Sequence, residues 1–179
     1  MGLDIVKFFN RWGRGTAVDR VTDFVSRMLY LAVFWTLTTI AVFFFAENGK
    51  TIAITMTVAA SLHFAITEGI FKRLLWKYFN KIRPYIAYPD RIFPIGRMHS
   101  DSSFPSSHMS ANLAPLSVIV FYYPVIWPIA AVWTLLIAYA RLHNGMHYLS
   151  DVIAGAILGI AYGALAIYLV NFFNQYVLS

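Results

Sequence analysis

Residues 102–140 read SSFPSSHMSANLAPLSVIVFYYPVIWPIAAVWTLLIAYA, the longest stretch of the chain without a charged side chain. One bilayer crossing needs about 20 mostly apolar residues, so this run is long enough for two. Tyr122-Tyr123-Pro124 is the place for it to turn, because proline cannot continue a helix without losing a backbone hydrogen bond. Working outward, Met28–Ala46, Thr51–Thr67 and Val152–Ser179 are equally free of charge. The chain therefore reads as an all-α, polytopic membrane helix bundle with about five transmembrane helices, at about 28–46, 51–72, 105–123, 125–141 and 150–172. Composition agrees: 59% of the 179 residues are hydrophobic, 17% are aromatic and only 12% are charged, outside the range of an ordinary soluble domain.

The ends of the chain are plainer. Residues 3–12, LDIVKFFNRW, put Ile5, Phe8, Phe9 and Trp12 on one helical face and Lys7, Asn10 and Arg11 elsewhere, which predicts an interfacial helix in the headgroup region. Asp4, Lys7, Arg11, Arg14, Asp19 and Arg20 leave no apolar core for a cleavable signal peptide in the first 20 residues. The absence of cysteine excludes disulfides, thiolate metal sites and a thiolate nucleophile. No repeat or second compositional region appears, so residues 1–179 are expected to form one membrane-embedded domain.

Five crossings put the N-terminus, residues 72–104 and residues 141–151 on one side of the membrane. Of the 14 Lys and Arg residues, all but Lys50 fall there. The positive-inside rule reads that side as cytoplasmic, whereas an anion-binding function would place cations there regardless of orientation. Charge counting does not separate the two.

Three polar stretches meet on that face. In FPSSH, Phe104 to His108, Pro105 suits a first helical turn, and the unpaired N–H groups of a helix start, with the Ser106 and Ser107 hydroxyls, suit an anion. Serine and proline also cap helices with no further purpose, but His108 is an ionisable group at a membrane span and argues for chemistry. In RLHNGMHYLSD, Arg141 to Asp151, His147 and Asp151 are four apart. If the last helix has begun there, the carboxylate holds one imidazole nitrogen and leaves the other free as a nucleophile. Arg141 presents a guanidinium fork that matches phosphate oxygens. In KYFNKIRPY, Lys77 to Tyr85, Arg83 is fixed by the helix-ending Pro84 on the face that carries both histidines. Lys72, Arg73 and Lys81 read as lysines and arginine snorkelling to lipid headgroups. His143 reads as a surface or supporting residue, Glu68 as an i,i+4 anchor for Lys72, and His63 as hydrogen-bonded to a neighbouring helix. Gly155, Gly159 and Gly163 predict close helix packing within the monomer.

Taken together, Lys77-x5-Arg83-Pro84, Pro105-Ser106-Ser107-His108 and Ala140-Arg141-x5-His147-x3-Asp151 resemble the signature of the type 2 phosphatidic acid phosphatase family, K-x6-R-P, P-S-G-H and S-R-x5-H-x3-D. The resemblance spans residues 77–151. It departs from the pattern in the position of Lys77, one residue closer to Arg83, in Ser107 where the family has glycine, and in Ala140 where it has serine.

The resemblance implies a metal-independent lipid phosphatase with no cofactor. His147 would attack phosphorus, Asp151 would orient it, and His108 would protonate the leaving oxygen. Lys77, Arg83, Ser106, Ser107 and Arg141 would bind the phosphate. The substrate would be a membrane lipid phosphate or diphosphate, with undecaprenyl diphosphate first and phosphatidylglycerol phosphate, phosphatidate or lipid A 1-phosphate as alternatives. A lipid phosphotransferase would use the same residues, and a non-enzymatic anionic-lipid binder or transporter would use the arginines without needing the histidines. The resemblance further implies a multi-pass protein of the bacterial cytoplasmic membrane with an outward-facing site; the bilayer is the expected partner, with no nucleic acid, and the glycine repeat, read as packing within one chain, predicts a monomer. Headgroup selectivity is expected in the loop holding Tyr85, Tyr88, Arg91, Arg97, His99 and Asp101.

Overall fold

The computed structural model describes residues 2–176, so Met1 and residues 177–179 of the expected domain lie outside it. Every regular element among the described residues is a helix, and none is a strand. Helices α1 (Gly2–Arg11) and α2 (Ala17–Val25) precede α3 (Met28–Phe45), and α4 (Gly49–Leu62) runs on without a break into a π-helix (His63–Leu74). Two single turns, α5 (Trp76–Phe79) and α6 (Pro84–Ala87), lead through an irregular segment to α7 (Ser107–Tyr122). A short 3-10 turn (Pro124–Ile126) opens α8 (Trp127–His143), and α9 (Leu149–Tyr176) closes the chain. The five long helices fall where the charge-free runs placed them, and the turn falls at Tyr123-Pro124. Four of them, Met28–Phe45, Gly49–Leu74, Pro124–His143 and Leu149–Tyr176, are long and apolar enough to cross a membrane. The remaining one, α7, has 16 residues, about 24 Å. It is the central helix, buried along most of its length from Ser107 to Val118, so its length is set by its neighbours rather than by lipid.

Lipid tails are as apolar as leucine, so close backbone approach and interhelical hydrogen bonds must hold such a bundle. Gly155, Gly159 and Gly163 of α9 lie on the backbone of α7: a Cβ at Gly155 would overlap the Ser106 carbonyl, and one at Gly159 would lie 2.7 Å from Leu113 Cβ and 2.9 Å from Ser110 O. The glycine repeat is therefore an intramolecular seam, as its spacing predicted. Asn112 of α7 accepts from the indole N–H of Trp35 at 3.2 Å and of Trp133 at 2.7 Å, which ties α3 and α8 to the centre. His63 meets Ser110 Oγ at 3.0 Å, the neighbouring-helix bond expected of it. Tyr162 and Thr67 pair at 2.9 Å.

The N-terminal helix is amphipathic as read, with Phe8 and Trp12 exposed and Val6 and Asn10 buried. Asn10 is less peripheral than its polar face implied. Its amide donates to His143 O at 2.6 Å and Phe93 O at 2.8 Å, while Phe93 N donates back to it. His143 is a buried clamp rather than a surface residue, with Nδ1 against Phe9 O at 2.8 Å and Nε2 against Asp19 Oδ1 at 2.9 Å. The interfacial helices thus brace the polar end of the bundle. Gly145 makes the turn out of α8 with φ of 69°, and a Cβ there would lie 2.6 Å from Ile92. Glycine is required at that position both for conformation and for space.

Candidate active site

A pocket of about 180 Å3 lies at that polar end, among the start of α7, the π-helical end of the second span, the 99–101 segment and the α8–α9 turn. Arg83, Ser107, His108, Arg141 and His147 line it, together with Met28, Glu68, Lys72, His99 and Asp101. Five of the eight residues singled out by the three motifs therefore converge from stretches far apart in sequence.

His147 is 1% exposed. Its Nδ1 lies 2.7 Å from the Ser103 carbonyl, which can only accept, so Nδ1 carries the proton and the Nε2 lone pair is left facing Arg83 Nη1 at 3.4 Å. Burial pushes the imidazole well below its ordinary value, and Arg141 and Arg83 push the same way. A neutral ring with its free nitrogen turned to a basic pocket is the form a nucleophile requires. His108, buried in the first turn of α7, has Nε2 2.7 Å from the Ser26 carbonyl, so this nitrogen bears a proton. One histidine thus turns a lone pair to the pocket, while the other is held by its Nε2–H on the Ser26 carbonyl.

Arg83 is nearly buried and thoroughly held. Nε donates to Asp101 O at 3.0 Å, Nη2 to Asp101 Oδ1 at 2.7 Å, and Nη1 to Met146 O at 3.1 Å. Burial pushes the Asp101 carboxyl up, but Lys72 and Arg83 outweigh it and hold the group below the usual carboxylate range. Arg141 is buried too, yet its Nε has no partner. A guanidinium left in that condition invites an anion. Ser107 Oγ donates to the Glu68 carboxylate, which lies 3.9 Å from Lys72 Nζ.

Three expectations need correction. Asp151 does not hold the His147 ring. The helix α9 starts at Leu149, so His147 precedes it and the i,i+4 relation does not apply. Instead Asp151 closes the first turn of its own helix, accepting from Tyr148 N at 2.9 Å, and pairs with Lys81 Nζ at 2.6 Å. Its backbone carbonyl accepts from Ser106 N at 3.0 Å, which joins the two motif-bearing turns. Lys77 is exposed on α5, outside the pocket; Lys72 occupies the site in its place. Leu75 N bonds Ile70 O, five residues back, and this wider π winding brings side chains round at a period that α-helical counting does not anticipate. Ser106 Oγ is buried without a partner and does not line the pocket, although Ser107 does. Ser103 was missed, because a backbone carbonyl carries no residue signature; Glu68, read only as the i,i+4 anchor of Lys72, makes that pair and also reaches Ser107.

A bundle of membrane-crossing helices that gathers three histidines, two arginines and a lysine at one end defines the class: an integral-membrane protein with an anion pocket fit for phosphoryl chemistry. Residues 52–175 match the PAP2 superfamily, and the chain belongs to it. Its fold is that of the membrane PAP2 phosphatases. It is similar to the transmembrane PAP2-type phosphatidylglycerolphosphate phosphatase from Bacillus subtilis, with a TM-score of 0.68 and 19% identity over 98% of this chain and 85% of that one. It is also similar to LpxE from Aquifex aeolicus, with a TM-score of 0.69 and 23% identity over 93% of this chain and 94% of that one. No curated protein matches in sequence.

Proposed function

We infer that the protein hydrolyses a lipid phosphate or diphosphate at the membrane surface through a phosphohistidine, with undecaprenyl diphosphate as the leading substrate. The observation that carries this reading is the His147 tautomer: Nδ1–H is engaged by Ser103 O and the unprotonated Nε2 faces the cationic pocket. Nε2 attacks the terminal phosphorus, the bond from that phosphorus to the oxygen of the departing lipid or lipid monophosphate breaks, and His108, as an imidazolium, gives a proton to that oxygen and is left neutral. Water then attacks the phosphohistidine, His108 takes a proton back, and inorganic phosphate leaves. Arg83, Arg141, Lys72 and the N–H groups at the start of α7 hold the equatorial oxygens, where charge accumulates. Asp151 acts as a positioning residue, fixing the turn that carries His147. The incoming phosphate displaces the Glu68 carboxylate from Ser107.

The pocket wall includes Met28, at the head of the apolar span Met28–Phe45, so a headgroup reaches it while the hydrocarbon chain stays in the bilayer. We place this end outside the cytoplasm of a bacterial inner membrane, because Arg83, Arg141 and Lys72 serve the site and weaken the charge-count argument for the opposite side. The test is phosphate release from purified protein in detergent with a chelator present, for a panel of lipid phosphates. The expected result is turnover by the parent and none by His147→Ala. Turnover within tenfold of the parent in His147→Ala, or release only with added magnesium, overturns the reading.

A further inference from the structure

A second cavity, of about 450 Å3, adjoins the catalytic pocket. Its walls are the end of α2 and start of α3 with Ser26, Arg27 and Met28, the segment from Ile95 to His99, and the turn after α8 with Asn144. Met28, His99 and Arg141 line both cavities, so the partnerless Arg141 guanidinium stands on their common wall. Asn144, beside it, has a buried Oδ1 without a partner. Two more cations face the second cavity. Arg27 is paired with Asp23 at 2.8 Å, whereas exposed Arg97 makes no hydrogen bond or ion pair with another described residue.

Position decides what this cavity can receive. His108 Nε2 aims at the Ser26 carbonyl, and Ser26 is part of the second cavity's wall. The leaving oxygen departs on the side of its proton donor, and His108, which lines the catalytic pocket, is bonded to the wall of the second cavity, so the leaving group is directed towards that cavity. Whatever remains attached to that oxygen meets Arg97 and the far edge of Arg141.

We propose that this cavity is a second anion subsite, taking a further phosphate of the same lipid headgroup with Arg97 as its own ligand and Arg141 shared between the two sites. The inference rests on the lipid phosphatase reading above. The recognised chemistry is a second phosphate on the leaving group, joined directly as in a diphosphate or through a short polyol as in phosphatidylglycerol phosphate. A guanidinium fork fits either. Because Arg97 stands at the wet edge of the cavity, its contribution is that of a partly solvated charge pair, about tenfold in selectivity.

The experiment compares the parent and Arg97→Gln on farnesyl diphosphate, farnesyl monophosphate and phosphatidylglycerol phosphate, all in detergent with chelator. The expected result is that the variant loses about tenfold in kcat/KM on at least one of the two headgroups with two phosphates, relative to the monophosphate. Which of them loses distinguishes direct from polyol-spaced phosphates. Equal losses on all three, or none, overturn the subsite while leaving the hydrolase intact. Failure of the parent to release phosphate from any of them overturns the hydrolase reading itself. On the unmodified protein, inorganic pyrophosphate is expected to inhibit farnesyl monophosphate hydrolysis at about tenfold lower concentration than inorganic phosphate; equal potency counts against the subsite.

Discussion

Replacing Asp151 by Asn separates a structural carboxylate from a catalytic one. Asp151 is completely buried, and its two oxygens have distinct tasks: Oδ1 takes the Lys81 ammonium at 2.6 Å and Oδ2 takes Tyr148 N–H at 2.9 Å. Asparagine keeps an oxygen for Tyr148 but loses the ion pair, and Lys81, whose side chain is 38% exposed, swings to water. A charge-assisted hydrogen bond contributes about 1.5–3 kcal/mol. Discounting for solvent on the lysine side leaves a cost of about 1–2 kcal/mol, or a thermal midpoint about 2–8 °C lower for a chain of this size. Asp151→Ala forfeits the capping acceptor too and costs about 1 kcal/mol more. Catalysis should suffer far less than in His147→Ala, because the partner of His147 Nδ1 is the Ser103 carbonyl, which the substitution leaves in place. The expected outcome is kcat/KM within about tenfold of the parent, in contrast to the roughly 10⁴-fold loss seen when an orienting carboxylate truly holds a catalytic imidazole. Thermal unfolding in detergent and phosphate release measured on the same preparations decide it. A loss of about 10³ or more with an unchanged unfolding midpoint would refute the reasoning and show that the carboxylate grips the ring in the working enzyme.

Lys72→Met is expected to raise KM for lipid phosphate by about tenfold and Lys77→Met to leave it within about twofold, since only Lys72 lines the pocket; the reverse order would restore Lys77 to the site. Because folding lowers the His147 pKa from its ordinary 6.5, the unfolded chain binds a proton below that pH which the folded one refuses. The associated stability is present above about pH 6.5 and is lost as pH falls, so His147→Gln should flatten the decline in unfolding midpoint between pH 6.5 and pH 5; parallel curves for parent and variant would contradict the assigned burial. The chain has no cysteine, which allows single cysteines to report orientation: one at exposed Ser100 should react with an impermeant thiol reagent in intact cells and one at Asn174 should not. The opposite labelling pattern would place the site in the cytoplasm, as the charge count alone predicts.

What the sequence determined by itself is whatever depends on runs and short spacings. Charge-free runs fixed the helices because a bilayer imposes a minimum apolar length, and Pro124 fixed the turn because it cannot donate a backbone hydrogen bond. The glycines of α9 declared a close seam for the same local reason, and the spacing of Arg141 and His147 was enough to mark a pocket. Tertiary structure decided the contacts that cross between stretches. Whether Asp151 reaches His147 depends on where α9 begins, and its start at Leu149 sends the carboxylate to Lys81. Lys72 rather than Lys77 enters the site because a π-helix changes the period of the second span. The orienting partner of His147 is the carbonyl of Ser103, 44 residues away. Every residue has such a carbonyl, so only the fold can select which one a buried imidazole finds.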